Sequence, residues 1–320
     1  MNEISSDTIY SLKRYFPSMK DEWNECVANS KNGTFLLNRN YMDYHSDRFS
    51  DFSLMICRKE NLVAVFPANI KDNVIYSHQG LTYGGLLYSA KLSLTDILAI
   101  FEIIFCYYKE NNINVIIYKS IPYIYSQYPA QEDLYALFKH NAKLIGSNIS
   151  STILLKNKLK FSELRRRGIR KAQNHNITCE CSEDFYFFWE ILNSNLDTKY
   201  DVKPVHSLDE INYLHNLFPE NIKLYVAKRQ DNVLAGTVLY INSNVVHTQY
   251  ISASNEGKEL GALDMLFDYL INEKYKDYEY FDFGQSTEQM GNYLNENLLF
   301  QKEGFGGRGV VYNTYKIEIR

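Results

Sequence analysis

At 320 residues, with 45% apolar and 22% charged residues and a formal net charge of -4, the chain has the length of two ordinary globular domains and the composition of a water-soluble protein. That charge excludes a global attraction to DNA or to an anionic membrane, so any basic site is local. The five cysteines, Cys26, Cys57, Cys106, Cys179 and Cys181, stand at no structural-zinc spacing and predict reduced thiols, no metal and a cytoplasmic setting.

The first residues, M-N-E-I-S-S-D-T, lack the basic start and apolar stretch of a secretion signal. Residues 1–30 read as a helix, with Trp23 and Val27 on one face. A turn at Gly33–Leu36 and a short helix at Tyr41–Phe49 follow, then strands near 53–58, 62–69 and 74–78. Ser77–Gly85 is polar and Gly-rich, and His78, Gln79 and Tyr83 offer it hydrogen-bonding side chains. A helix over Leu94–Glu110 turns Ile97, Phe101, Ile104 and Phe105 inward. This longest apolar stretch is interrupted by Glu102 and is too short to cross a bilayer. Val115–Tyr118 reads as a buried strand, with Lys119 after it as a candidate phosphate ligand.

A Tyr-rich turn at Pro122–Pro129, then a helix and a strand over 131–150, lead to the densest basic cluster, Arg165, Arg166, Arg167, Arg170 and Lys171. Such a cluster reads as a solvated helix face, as a grip on a diphosphate, or as a contact to a tRNA backbone. Helices at Phe185–Leu196 and after the N-cap Ser207 precede strands near 223–228, 233–241 and 245–251. A Gly-bearing stretch, 252–262, opens a helix over 261–275, and a strand follows at Tyr280–Phe283. Backbone N–H groups at such a helix start suit a phosphate. The C-terminal part holds Phe300–Arg308 and a final strand, 309–319.

The chain repeats itself. Shifting by 171 pairs Arg58 with Arg229, Glu60 with Asp231, Asn61 with Asn232, Ala64 with Ala235, Asn73 with Asn244 and Val74 with Val245. A unit of this length repeated once is a duplicated domain. The reading is therefore a mixed α/β protein of two tandem domains, 1–155 and 156–320, each a central mixed sheet flanked by helices, with a ligand cleft expected between them.

Lys258-x-x-Gly261-x-Leu263 is similar to the donor loop of GNAT-type N-acyltransferases, with Lys where that family has Gln or Arg and Leu where it has Gly or Ala. The resemblance implies that Gly257, Lys258, Gly261 and Ala262 hold the pyrophosphate of acyl-CoA or the equivalent part of another activated acyl donor. Two GNAT-like units in tandem, with Phe300-Gln301-Lys302 and Phe305-Gly306 near the end, resemble the FemAB-like acyltransferases over about residues 30–315. These include peptidoglycan-bridge aminoacyl ligases and proteins of surface-polysaccharide synthesis. The resemblance implies N-acyl transfer, Lys302 as a cation at the developing oxyanion, Phe305 and Gln285 beside it, and an acceptor-binding face on the first domain. Asp282, Glu288 and His247 are alternative bases for the attacking amine, and His247 also reads as a hydrogen-bonded core residue. The acceptor implied is an amino sugar on a nucleotide or lipid diphosphate. An aminoacyl-tRNA-dependent ligase and a non-catalytic binding protein on the same scaffold stand as alternatives.

Overall fold

The computed structural model describes residues 9–200 and 203–319. The start of the helix expected over 1–30 lies outside these residues; within them Tyr10–Arg14 is a strand, β1, and the helix, α1, is confined to Lys20–Asn29. Pro17 marks the boundary by opening a single 3-10 turn before α1. There follow β2 (Leu54–Arg58), β3 (Asn61–Phe66), β4 (Asn69–Lys71), β5 (Val74–Tyr76), β6 (Leu87–Tyr88), α2 (Leu94–Glu110), β7 (Val115–Lys119), α3 (Glu132–Lys139) and β8 (Lys143–Leu154). The short helical piece expected at 41–49 ends by 45. The second half runs α4 (Glu163–Asn174), β9 (Thr178–Ser182), α5 (Tyr186–Tyr200), α6 (Leu208–Leu217), β10 (Ile222–Arg229), β11 (Asn232–Ile241), β12 (Val245–Ala253), α7 (Asn255–Leu260), α8 (Ala262–Tyr269), β13 (Tyr280–Gln285), α9 (Glu296–Glu303) and β14 (Arg308–Glu318). Capping boxes at Ser93/Asp96 and Ser207/Glu210 start α2 and α6, satisfying N–H groups that a helix start leaves orphaned.

Two compact units result. Unit 1 comprises residues 1–148, 289–292 and 311–320; unit 2 comprises 149–288 and 293–310. This division differs from a cut at 155/156 because two strands are shared out. The second half of β8 pairs with β13 inside unit 2, Ile153 opposite Phe281 and Thr152 opposite Asp282. The second half of β14 pairs with β7 inside unit 1, Thr314 opposite Lys119 through Glu318 opposite Val115. Each unit has its own apolar core, one built around Phe66, Phe101 and Tyr118, the other around Phe267, Phe281 and Phe305.

The repeat holds at the level of backbone detail. β2–β3 and β10–β11 are antiparallel hairpins closed by Arg58 opposite Asn61 and Arg229 opposite Asn232, each with a register slip at the same place, Ile56/Cys57 and Ala227/Lys228. Both turns carry a left-handed residue in the same position, Lys59 and Gln230. β5 lies parallel to β7 from Val74/Val115, as β12 lies parallel to β13 from Val245/Tyr280. From 58 to 229 and from 74 to 245 the offset is 171, whereas from 115 to 280 it is 165. Six extra residues in unit 1 therefore lie between β5 and β7, where β12 runs on unbroken and unit 1 instead has the loop 77–86.

Candidate functional site

In unit 2 the parallel pairing of β12 with β13 extends over three residues, ending with His247 beside Asp282. Alternation along β13 sends Phe281 and Phe283 into the core against Phe267, and Asp282 to the opposite face. Asp282 is fully buried. Its Oδ1 accepts from Ser150 Oγ at 2.5 Å and Thr152 Oγ1 at 2.7 Å, both on β8, and its Oδ2 lies 2.7 Å from His247 Nδ1. Burial alone would raise its pKa, but the hydrogen bonds from His247, Ser150 and Thr152 and the field of the imidazole hold it below the usual carboxylate value. An ionised carboxylate on Nδ1 requires a proton there, which leaves Nε2 of a neutral imidazole as the acceptor. Gly284 is left-handed, and a Cβ there would stand 3.1 Å from His247 Cε1, so a side chain would crowd the ring.

Lys302, on α9, is buried, and its ammonium donates to the carbonyls of Gly284 at 2.9 Å and Gln285 at 2.7 Å. Burial pulls its pKa down to about 8, partly offset by the charge of Asp282. It thus caps the end of the strand that carries Asp282. Phe305 stacks on Phe283 and is buried, with the Arg165 guanidinium 4.9 Å from its ring centroid. Gln285 is half-buried opposite Ser150, and Glu288 is exposed on a two-residue strand.

Unit 1 has no such chemistry at the equivalent places. The pairing equivalent to His247/Asp282 is Tyr76/Ile117. The ends of α9 and α3 make the same pair of turn bonds, Gly306 N to Glu303 O and Gly307 N to Lys302 O against Asn141 N to Phe138 O and Ala142 N to Leu137 O. Lys302 therefore corresponds to the buried Leu137. Three polar groups converge on one strand end in unit 2, where unit 1 has tyrosine, isoleucine and leucine.

The donor segment is not an open loop. Residues 255–260 form α7, capped by Ser254, whose Oγ accepts from Gly257 N at 3.0 Å. Lys258 Nζ lies 2.6 Å from Asn195 Oδ1. Gly261 is left-handed and ends α7, and Ala262 is the first residue of α8. A Cβ on Gly261 would collide with the Gly168 carbonyl, and one on Gly168 with the Asp264 carboxylate, so α4 lies directly against the start of α8. Arg165 Nη1 is bound to Asp264 Oδ1 at 2.7 Å in the same contact. Arg166 and Arg170 pair with Glu163 at 2.8 and 2.7 Å on the outer side of α4, and Arg167 is exposed.

In unit 1, Lys119 Nζ is buried among the carbonyls of His78, Gln79 and Leu81, at 3.4, 3.1 and 2.8 Å. Its ammonium holds the 77–86 loop from within, and burial lowers its pKa to about 8. Tyr83 is buried, with Oη 3.2 Å from Thr34 Oγ1; His78 is buried; Gln79 exchanges bonds with Asn69. Ser150 and Thr152, which hold the Asp282 carboxylate, are candidate site residues that sequence reasoning did not single out. Their signal is S-N-I-S-S-T-I-L, hydroxyls inside a strand otherwise apolar.

FemX matches this chain over 96% of its residues and 97% of FemX, with a TM-score of 0.68 at 11% identity. The fold is FemX-type, a tandem GNAT-like architecture. The C-terminal domain of a putative lysylphosphatidylglycerol synthetase from Agrobacterium fabrum shares this FemX-type fold over 93% of this chain and 91% of that one, with a TM-score of 0.62 at 10% identity. So does a conserved protein of unknown function from Bacteroides thetaiotaomicron, over 96% and 99%, at 0.58 and 12% identity. No protein-family model and no curated protein sequence matches the chain. Likeness at such identities fixes the fold, and function has to be argued from the site.

Proposed function

We propose that this chain transfers an acyl or aminoacyl group from an activated ester to an amine, with the chemistry in unit 2. The observation that carries the reading is the His247–Asp282 pair, built across two parallel strands and absent from the equivalent strands of unit 1. His247 Nε2 takes the proton of the amine as its nitrogen attacks the carbonyl carbon. Asp282 orients the ring and stabilises the imidazolium that forms. In this reading the Lys302 ammonium, held by two backbone carbonyls, supplies its third N–H to the charge that develops on the carbonyl oxygen. The imidazolium then returns the proton to the leaving oxygen, the ester C–O bond breaks, and the alcohol departs as the amide remains.

The start of α8 is sealed by α4, which favours a donor that needs no pyrophosphate grip there, an aminoacyl ester of tRNA type over acyl-CoA. The acceptor of this reading is the amine of an amino sugar on a nucleotide or lipid diphosphate; Arg166 and Arg170 are already paired with Glu163 on the outer side of α4, so its phosphates are not assigned to them. The test is a transfer assay read by mass spectrometry, pairing aminoacyl-tRNAs and acyl-CoAs with amino-sugar acceptors, on the wild type and on His247→Ala. Product with a donor of either kind that disappears in His247→Ala supports the reading. Undiminished product from the variant overturns the role of the pair.

A further inference from the structure

The packing of α4 leaves one strongly charged surface on unit 2. Residues 154–175 hold eight lysines and arginines against a single carboxylate, Glu163, in a chain whose net charge is -4. Ile169 and Ala172 bury one side of α4, and Arg165 and Gly168 meet Asp264 on that same side. Helical spacing therefore turns Arg166, Arg167, Arg170 and Lys171 outward, and all four are exposed. Ahead of the helix, Lys156, Lys158 and Lys160 are exposed as well. Glu163 is shared between Arg166 and Arg170 and leaves one positive charge over. Arg167, Lys171 and the three lysines make no ion pair among the described residues. Glu279, whose carbonyl accepts from Leu155 N, and Glu303 at the end of α9 flank the stretch and are too few to balance it.

Apolar side chains are set among these charges, around the start of α4. Leu159 and Leu164 are 47% and 46% exposed, and Phe300 of α9 is 64% exposed. Leu164, Arg167 and Lys171 follow one stripe of the helix. Leu159 lies against Gly306, where an added Cβ would stand 3.3 Å from the leucine Cβ. Phe300 is one turn before Gly304, whose carbonyl accepts from Ser162 N just ahead of α4. A helix face built for water mixes the signs of its charges, whereas this surface carries nearly one sign with leucines between. Cations alone suit any polyanion. Leucine side chains gain nothing from a phosphate in water, but they leave water where a surface meets the boundary between lipid headgroups and acyl chains. Anionic headgroups supply the opposite charge, and each lysine or arginine close to them strengthens binding roughly fivefold.

We propose that this face docks on an anionic lipid bilayer, with the lysines and arginines against the headgroups and Leu159, Leu164 and Phe300 entering the boundary beneath them. The proposal does not depend on the transfer reading, and its test needs no transfer substrate. The full chain is centrifuged at roughly physiological salt with vesicles of phosphatidylcholine alone, or with about 30% phosphatidylserine added. Partitioning onto the anionic vesicles and not onto the neutral ones is expected. A Lys156→Gln/Lys158→Gln/Lys160→Gln variant should partition about 100-fold more weakly. A Leu159→Gln/Leu164→Gln variant keeps every charge and should partition about tenfold more weakly. Circular dichroism and the thermal midpoint establish that each variant is folded. Binding of an RNA hairpin by the wild type is measured in parallel. No partitioning onto anionic vesicles, or equal partitioning onto both compositions, overturns the proposal. So does a folded leucine variant that partitions like the wild type. Retention of the RNA by a protein that leaves both kinds of vesicle unbound overturns it too, and makes the patch a nucleic-acid surface.

Discussion

His247, Asp282 and Lys302 do different physical work although all three are polar groups in an apolar surrounding. The Asp282 carboxylate binds Ser150, Thr152 and His247 at once, so Asp282→Ala strands all three together. A loss of about 3–5 kcal/mol in urea unfolding is expected, the usual result of breaking a buried charged network from one side. Asp282→Asn keeps the shape but not the charge, and turnover should fall by about 10²–10⁴-fold with little change in acceptor affinity. Because the folded-state pKa of Asp282 is depressed, its contribution to stability is present above the ordinary carboxylate range and is lost as pH falls through the folded value. Lys302 has a dependence of the same sign at higher pH. Its folded pKa of about 8 lies below that of an unfolded lysine, so the unfolded chain holds more protons between about pH 8 and about 10.4, and stability rises with pH across that window. Relative to Lys302→Met, the wild type should gain roughly 3 kcal/mol from the bottom to the top of that window. A constant difference between the two proteins across the window would show that the ammonium is not desolvated.

At the scale of elements, the junction of α4 with α7 and α8 depends on two glycines that face each other. Gly261 ends α7 in a left-handed conformation, and Gly168 lets the Asp264 carboxylate approach α4. Gly168→Ala should force the helices apart and break the Arg165–Asp264 pair, with a loss of about 2–4 kcal/mol measured by thermal or urea unfolding. If stability is unchanged, the contact that seals the start of α8 is loose and the argument against a pyrophosphate donor goes with it. This junction also shows why the segment misled a reading from sequence. Lys258 and Gly261 look like a phosphate loop when read alone, because a glycine before a helix is common to both arrangements. What fills the space above it comes from α4, some ninety residues earlier in the chain, and no local pattern carries that information. The Arg cluster divides for the same reason: its helical spacing was legible, but only the packing of α4 shows that Arg165 turns inward to Asp264 and Phe305 while Arg166 and Arg170 turn outward to Glu163. His247 and Asp282 were visible as separate candidates. Their pairing follows from a parallel crossover, which sequence spacing does not encode.

For the molecule as a whole, the duplication was legible where it is strongest, in the hairpins ending at Arg58 and Arg229, because bulge, turn and register constrain the residues there alike. It was hidden in β8 and β14, whose residues have drifted apart although both strands run from the end of a helix into a pairing at the far side of a parallel pair. The consequence is testable. Residues 311–320 belong to unit 1 although they end the chain, and β7 takes its outer partner from them, Val115–Lys119 opposite Thr314–Glu318. Removing 311–320 from the full chain strips β7 of that ladder and uncovers Ile116 and Tyr118 of the unit 1 core. The corresponding strand of unit 2, β13, keeps its partner, because Ser150–Leu154 of β8 is untouched. Amide hydrogen exchange on the truncated chain should therefore show protection lost in β5 and β7 and retained in β12 and β13, with the His247–Asp282 pair still in place. Equal loss in both sets of strands would mean that the units do not fold as separate cooperative bodies, and equal retention would mean that the last strand contributes nothing to unit 1.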